Sequence, residues 1–297
     1  MRILHLDSGR EMRGGQWQAL RLVEGLLRCG HTASLMCRRG SPLFDAAQAR
    51  GLDARPLTIA AVRSGSGGVD LVHAHDARSH TIAALCSRAP FVVSRRVAFP
   101  PDRGVASRWK YTRARHYLAV SEFVRNVLIE AGVPATQISV VYDGVPLLPL
   151  SAQTGGFIAP ATADPRKGSD LASEAARLAG VDLRFSDNLE RDLRDAACLL
   201  YLTHAEGLGS AVLLAMSAGV PVIASRLGGL TEIIDHGRTG ILTPNDSGQI
   251  ALHIRCVRDA LAACQEFSRE ARAAIEARFT IERMVSGTLA VYKRVLS

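Results

Sequence analysis

Short apolar runs alternate along this chain with longer stretches in which apolar residues recur every three or four positions. The short runs predict strands and the longer stretches predict amphipathic helices. In the first half the strands fall at 2–6, 32–37, 71–75, 91–94, 118–120 and 138–142. Helices are predicted between them at 15–29, 42–50, 78–87 and 122–131, the last capped by Ser121. Gly30 and Gly51 stop the first two helices. Ser64-Gly-Ser-Gly-Gly68 reads as a flexible loop. The stretch 146–155, PLLPLSAQTG, breaks the alternation and reads as an interdomain linker. The pattern then restarts, with strands at 157–159, 182–185, 199–202 and 221–224 and helices at 168–179, 246–263, 269–278 and 281–296. Such alternation predicts an α/β fold with parallel sheets. Two Rossmann-like doubly wound halves of about 150 residues, with a cleft between them, account for the whole pattern.

The stretch 203–243, THAEGLGSAVLLAMSAGVPVIASRLGGLTEIIDHGRTGILT, is the most informative. Glu206 sits in a glycine-containing loop that opens an apolar helix. The next strand runs into Leu227-Gly228-Gly229, which is read as opening a second helix. Two helix N-termini at one sheet edge present unpaired N–H groups and partial positive charge, a setting suited to phosphate. The glycines let a ligand approach the backbone closely.

Composition narrows the class. Hydrophobic residues are 47% and charged residues 22%, ordinary for a globular protein. No apolar run reaches the ~20 residues that span a bilayer. The opening MRILHLDSG is too polar for a signal peptide and reads as a strand. Cysteines 29, 37, 86, 198, 256 and 264 show no metal-ligand spacing, so they read as reduced thiols of a cytoplasmic protein. The formal charge of +8 suits nucleic acid, an anionic membrane face or a phosphorylated substrate. Aromatics at 5%, with no zinc finger or helix-turn-helix pattern, argue against nucleic acid. That leaves a solvated arginine-rich surface, or attraction to an anionic acceptor or the inner membrane leaflet.

Glu206, Gly207, Gly209, Ala215, Met216, Gly219, Pro221, Val222, Ala224, Ser225, Gly228, Gly229, Glu232, Ile233, Thr239 and Gly240 stand in a specific order. In that order the segment resembles the donor-binding region of retaining nucleotide-sugar glycosyltransferases, the family-4 type of the GT-B fold. It departs at Leu214, where the family has a second glutamate. Residues 121–145 are similar to the family's hinge-side helix and strand. The end, 279–296, is similar to a last helix that returns to the N-terminal half. The resemblance implies an acceptor-side domain at 1–147, a donor domain at 148–279 and a returning helix at 280–297. The piece between Lys167 and Leu199 is short for the family, so the second domain is expected to lack a strand–helix unit.

The resemblance also implies roles. Lys167 aligns with the lysine that contacts the donor diphosphate, and Glu206 with the glutamate that contacts the donor sugar. The plain alternatives are a solvated loop lysine and a carboxylate that only complements a helix dipole. Donor contacts are expected from Gly14, Gly15, Arg166, Gly207, Leu208, Gly209, Ser210, Leu214, Gly228, Gly229 and Glu232. Arg166 stands in for an arginine the family has nearer Thr162. The second glutamate grips ribose in similar enzymes. Leucine forfeits that contact, worth ~1.5–3 kcal/mol. His75, Asp76, Arg95 and Arg96 end strands at the same edge and are acceptor or cleft candidates. Their alternatives are a structural histidine and an arginine pair bonded within its own domain. No metal or other cofactor is expected, because helix dipoles and Lys167 would stabilise the leaving diphosphate. The implied activity is retaining transfer of a sugar from a nucleotide-diphosphate sugar to a glycan or lipid-linked acceptor, in cell-surface glycan or lipopolysaccharide synthesis. A non-catalytic homologue and a nucleotide-sugar epimerase or hydrolase stay open as alternatives.

Overall fold

The computed structural model describes residues 1–102, 104–260 and 264–297, without the side chains of 264 and 265. The chain divides into two compact units, Met1–Asp143 with Ile281–Ser297, and Gly144–Thr280.

The first unit is built on seven parallel strands: β1 (Arg2–Asp7), β2 (Thr32–Cys37), β3 (Ala54–Pro56), β4 (Leu71–Ala74), β5 (Phe91–Arg95), β6 (His116–Ala119) and β7 (Ile138–Val140). Their spatial order is β3-β2-β1-β4-β5-β6-β7, so the direction of winding reverses between β1 and β4. Helices cover both faces of such a sheet, which is why β1 and β4 read as nearly continuous apolar runs. Helix Gly14–Arg28 and the last helix, Ile281–Leu296, share one core with β1 and β4 through Leu22, Leu26, Val285, Tyr292, Ile3 and Leu71. They meet closely at Gly25, where a Cβ would stand 2.4 Å from Val285 Cγ2.

The second unit has five parallel strands: β8 (Phe157–Pro160), β9 (Leu183–Ser186), β10 (Cys198–Tyr201), β11 (Val222–Ser225) and β12 (Ile241–Thr243). Their order, β12-β11-β10-β8-β9, reverses between β8 and β10. Helix Ser169–Ala179 lays Ala172, Ala175 and Ala179 against Phe157, Cys198 and Leu200, and helix Ser247–Asp259 adds Ile250, Ile254 and Val257. The alanine face lets this helix sit close to a small sheet.

Strand and helix ends differ from the sequence expectation mostly by one or two residues, as fraying ends do. Larger differences have physical causes. Residues 64–68 are not a flexible loop: they close helix Ile59–Gly65 and form the 3₁₀ turn Ser66–Gly68. Ser66 is buried and its Oγ accepts the Arg88 N–H at 3.0 Å. A Cβ on Gly65 would meet Met36 at 2.9 Å, so this glycine serves close packing. The stretch 146–155, read as a linker, is strapped to the second unit. Ser151, Ala152 and Gly155 donate backbone hydrogen bonds to Ala218, Arg194 and Asp195 at 2.8, 2.9 and 2.7 Å. Edge strand β3 and helices Ile59–Gly65, Val105–Arg113 and Leu189–Asp192 were not foreseen, being short or weakly periodic. The helix expected at 246–263 runs Ser247–Asp259, and residues 261–263 lie outside the described ones. Among the described residues no helix is long and apolar enough to cross a membrane, and Cys29, Cys37, Cys86, Cys198 and Cys256 are free thiols.

β1 delivers Asp7 into the glycine loop that precedes helix Gly14–Arg28. The Asp7 carboxylate accepts the Gly9 N–H at 2.8 Å, and both its oxygens take Gln16 Nε2 at 3.1 Å. Burial, with the Asp76 charge adding to it, pushes the Asp7 carboxyl up to about 6. The folded chain therefore holds this proton more tightly than the unfolded chain. The associated stability falls as pH rises from about 4 to about 6 and stays lower above that range. Asp7→Asn is expected to match wild type at pH 4 and to gain about 1–3 kcal/mol over it at pH 7.5, measured by urea denaturation. Gly25→Leu should cost about 1–3 kcal/mol by overpacking. Val285→Ala in the same chain should return part of that loss, read from the same denaturation midpoints.

Candidate functional site

The loops after β8 and β10 leave neighbouring strands at the point where the winding reverses, the usual place for a ligand crevice in open α/β sheets. Gly168 takes a left-handed conformation, φ 61°, and a Cβ there would stand 2.8 Å from the Leu202 carbonyl oxygen. The His204 N–H and the Thr203 hydroxyl both donate to the Arg166 carbonyl, at 2.8 and 3.2 Å. These contacts press the 3₁₀ turn Pro165–Lys167 onto the loop that carries Glu206. Lys167 Nζ then donates to Glu206 Oε2 at 2.6 Å, and Tyr201, the last residue of β10, donates its hydroxyl to the same oxygen at 2.5 Å. Glu206 Oε1 accepts the Gly207 N–H at 3.0 Å. The Lys167 side chain is 33% exposed and that of Glu206 12%, so the cation is the member that faces solvent. Burial, then the Glu206 charge, holds the Tyr201 phenol well above its ordinary range, which keeps it a donor.

Two glycine segments pack on each other beside this pair. A Cβ on Gly229 would stand 2.0 Å from the Gly207 carbonyl oxygen, and one on Gly209 (φ 107°) 2.7 Å from Leu230. The Gly229 N–H donates to the Glu206 carbonyl at 3.3 Å. Gly209 and Gly229 thus serve loop-to-loop packing, where the sequence suggested only room for a ligand. Gly228 is also left-handed, φ 51°. The helix expected after it is a single turn, Leu230–Ile233. Ile233 and Ile234 bury, and the chain folds back at once through the Thr239–Asp235 hydrogen bonds. The second helix N-terminus at this edge belongs instead to Ser169–Ala179. That helix and Ser210–Ser217 start from Gly168 and Gly209, and neither receives a side-chain cap. Their first-turn N–H groups open at the strand ends.

The other expected donor residues have definite places. Leu208 is buried, while Ser210 and Leu214 lie one turn apart on the same helix face, with Leu214 9% exposed. Glu232 sits in the first turn of the short helix. Arg166 holds Asp164 with two bonds, at 3.0 and 2.8 Å. Asn245 clamps the strand ends: its Nδ2 donates to the Thr203 carbonyl at 2.8 Å, and its Oδ1 accepts from Ser225 at 2.5 Å.

In the first unit, Gly14 and Gly15 begin helix Gly14–Arg28, and Gly15 lies beside the Arg96 stem. Asp76 caps helix Ala77–Cys86 and takes hydrogen bonds from Ser8, Arg78 and Ser79. Arg95 is buried and donates to the Phe99 carbonyl at 2.5 Å. Arg96 pairs with Asp143 at 3.0 Å and donates to His75 Nδ1 at 3.3 Å. The two arginines are therefore bonded inside their own unit.

Behind Arg96 lie three buried histidines, His5, His73 and His75, whose ligand atoms approach within 4.8 Å. His73 bonds Tyr292 and Ser94, at 2.5 and 2.8 Å. Burial is the main cause holding all three below the ordinary histidine range, His5 at about 3, and the Arg96 cation adds to it. Their spacing would admit a metal ion, but the electrostatics oppose one. The Arg96 donor leaves the His75 proton on Nε2, which faces His5 Nδ1 at 2.9 Å, and the guanidinium would repel a second cation.

Tyr201, Asn245, His5 and His73 were missed in the sequence. Tyr201 gave one sign, a polar group ending the apolar run Cys198–Tyr201.

Known sequence families match both units of the chain. The sequence model described as Glycosyltransferase Family 4 matches residues 12–147, and that described as Glycosyl transferases group 1 matches 157–259. A glycogen synthase of Mycobacterium tuberculosis is 36% identical over 99 residues, 33% of this chain and 23% of that protein. An N-acetyl-alpha-D-glucosaminyl L-malate synthase of Bacillus anthracis is 32% identical over 112 residues, 37% of this chain and 29% of that protein. The matched stretches thus span under a third of these curated relatives. The crystal structure of Anabaena HepE in complex with UDP and glucose shares the fold, with a TM-score of 0.88 over 99% of both chains at 18% identity. Two family matches in chain order, on two doubly wound units of this topology, lead to one conclusion: the chain belongs to the family-4 type glycosyltransferases of the GT-B fold.

Proposed function

We propose that the protein transfers a sugar from a nucleotide-diphosphate sugar to an acceptor hydroxyl, with retention at the anomeric carbon. The observation that carries this reading is the Lys167–Glu206 pair beside two uncapped helix N-termini at the winding reversal of the second unit. Lys167 and the open N–H groups suit a diphosphate. Glu206 suits sugar hydroxyls, which a carboxylate accepts in pairs. HepE has also been solved with UDP-glucose, which supports a uridine donor here.

In this reading the bond between the anomeric carbon and the diphosphate oxygen breaks, and the diphosphate leaves with the electron pair. The acceptor oxygen bonds the same face of the anomeric carbon, and its proton passes to the departing phosphate oxygen. Lys167 and the N–H groups stabilise the charge that builds on the leaving group, so no metal ion is needed. Leu214 offers the ribose no hydrogen bond, and donor affinity should be roughly ten- to a hundredfold below that of a chain with glutamate there. The net charge of +8 favours an anionic glycan or lipid-linked acceptor at the inner membrane face.

Calorimetry with UDP, UDP-glucose and a panel of other nucleotide sugars tests the reading. Saturable binding to wild type, lost in Lys167→Ala, is expected, with transfer to a glycan acceptor that survives EDTA. No binding of any member at about millimolar concentration would favour a non-catalytic homologue. Turnover of the donor without acceptor would favour an epimerase or hydrolase.

A further inference from the structure

We propose that Tyr201 is a positioning residue, which keeps the Glu206 carboxylate in place when Lys167 leaves it for an anionic ligand group. The proposal rests on the donor-site reading above. Glu206 Oε2 takes two donors of different character. Tyr201 ends strand β10 and is 8% exposed, a packed aromatic on a sheet. Lys167 stands on an exposed turn at the end of a long flexible stem. The two donors are themselves 3.4 Å apart, so one carboxylate oxygen serves as their common acceptor.

A diphosphate arriving from solvent meets Lys167 first and competes with Glu206 for its ammonium group. Once Lys167 turns to the phosphate, a carboxylate only 12% exposed loses its counter-charge. The Tyr201 hydroxyl and the Gly207 N–H then remain on its two oxygens. With the hydroxyl present, Glu206 stays aimed at the place a sugar would occupy. Without it, one carboxylate oxygen is left bare in a half-buried site, and the side chain turns toward water. The plain alternative is a buried phenol that found the nearest acceptor. The two differ in which ligand suffers when the hydroxyl is removed.

Tyr201→Phe keeps the ring and deletes only that hydroxyl. Calorimetry should show UDP affinity within about twofold of wild type and UDP-glucose affinity lowered about tenfold, the loss of one charge-assisted hydrogen bond. Equal effects on both ligands, or none on either, would overturn the proposal. A readout on the ligand-free protein decides the matter even if wild type binds no nucleotide, an outcome that would sink the donor-site reading separately. Tyr201→Phe should lower Tm by several degrees more in the Lys167→Ala chain than in wild type, because there the hydroxyl is the remaining side-chain donor to Glu206. That excess should vanish when Glu206→Ala is added, because alanine removes the acceptor. Additive Tm changes would show that Tyr201 does not hold Glu206 and would overturn the proposal.

Discussion

The geometry at the winding reversal of the second unit depends on one close approach of backbone to backbone. Gly168 lies against the Leu202 carbonyl, nearer than any side chain would permit. Because it does, the turn carrying Lys167 rests on the loop carrying Glu206, and two residues 39 apart in sequence form a 2.6 Å ion pair. The same approach starts helix Ser169–Ala179 at the sheet edge where helix Ser210–Ser217 also starts. Gly229 repeats the device one strand further on, against the Gly207 carbonyl. The glycines let three loops stack without intervening side chains, and they are required by packing before any ligand arrives.

The two units use their winding reversals differently. In the first, the charged groups at the strand ends are already committed. Asp76 is engaged by a helix cap and two serines, and Arg96 is fixed between Asp143 and a neutral histidine. In the second, Lys167 is a third exposed and bound to a carboxylate that has another donor to fall back on. The Lys167 cation keeps a third of its side chain in solvent within its pair, whereas Arg96 is 14% exposed and would first have to abandon a nearly buried ion pair.

Much of this was legible in the sequence because it is written in local signals. The alternation of apolar runs with helical periods marked most strands and helices, and the segment from Glu206 to Gly240 marked the glycine loops that stack after β10 and β11. What was not legible depends on partners distant in the chain. Ser64–Gly68 looked like a flexible run because its glycines resemble linker glycines, yet Met36 packs on Gly65 and Arg88 bonds Ser66. The stretch 146–155 looked like a linker because its bonds run to Arg194, Asp195 and Ala218, invisible to any local pattern. Arg95 and Arg96 read equally as cleft groups or as a pair bonded within the domain, because their partners, Phe99 and Asp143, carry no mark of pairing. Tyr201 ends an apolar strand and the histidines His5 and His73 sit inside apolar strands, where a polar group reads as core until its partner elsewhere in the fold is known.

The central claim is that the loops after β8, β10 and β11 form the donor site. Amide hydrogen exchange of the full chain, with and without UDP-glucose, tests it most directly. The account predicts ligand-dependent protection at residues 165–169, 203–211 and 227–232, the segments that carry Lys167, Glu206 and the Gly228–Gly229 turn. Saturable binding with no added protection in those three segments would contradict it.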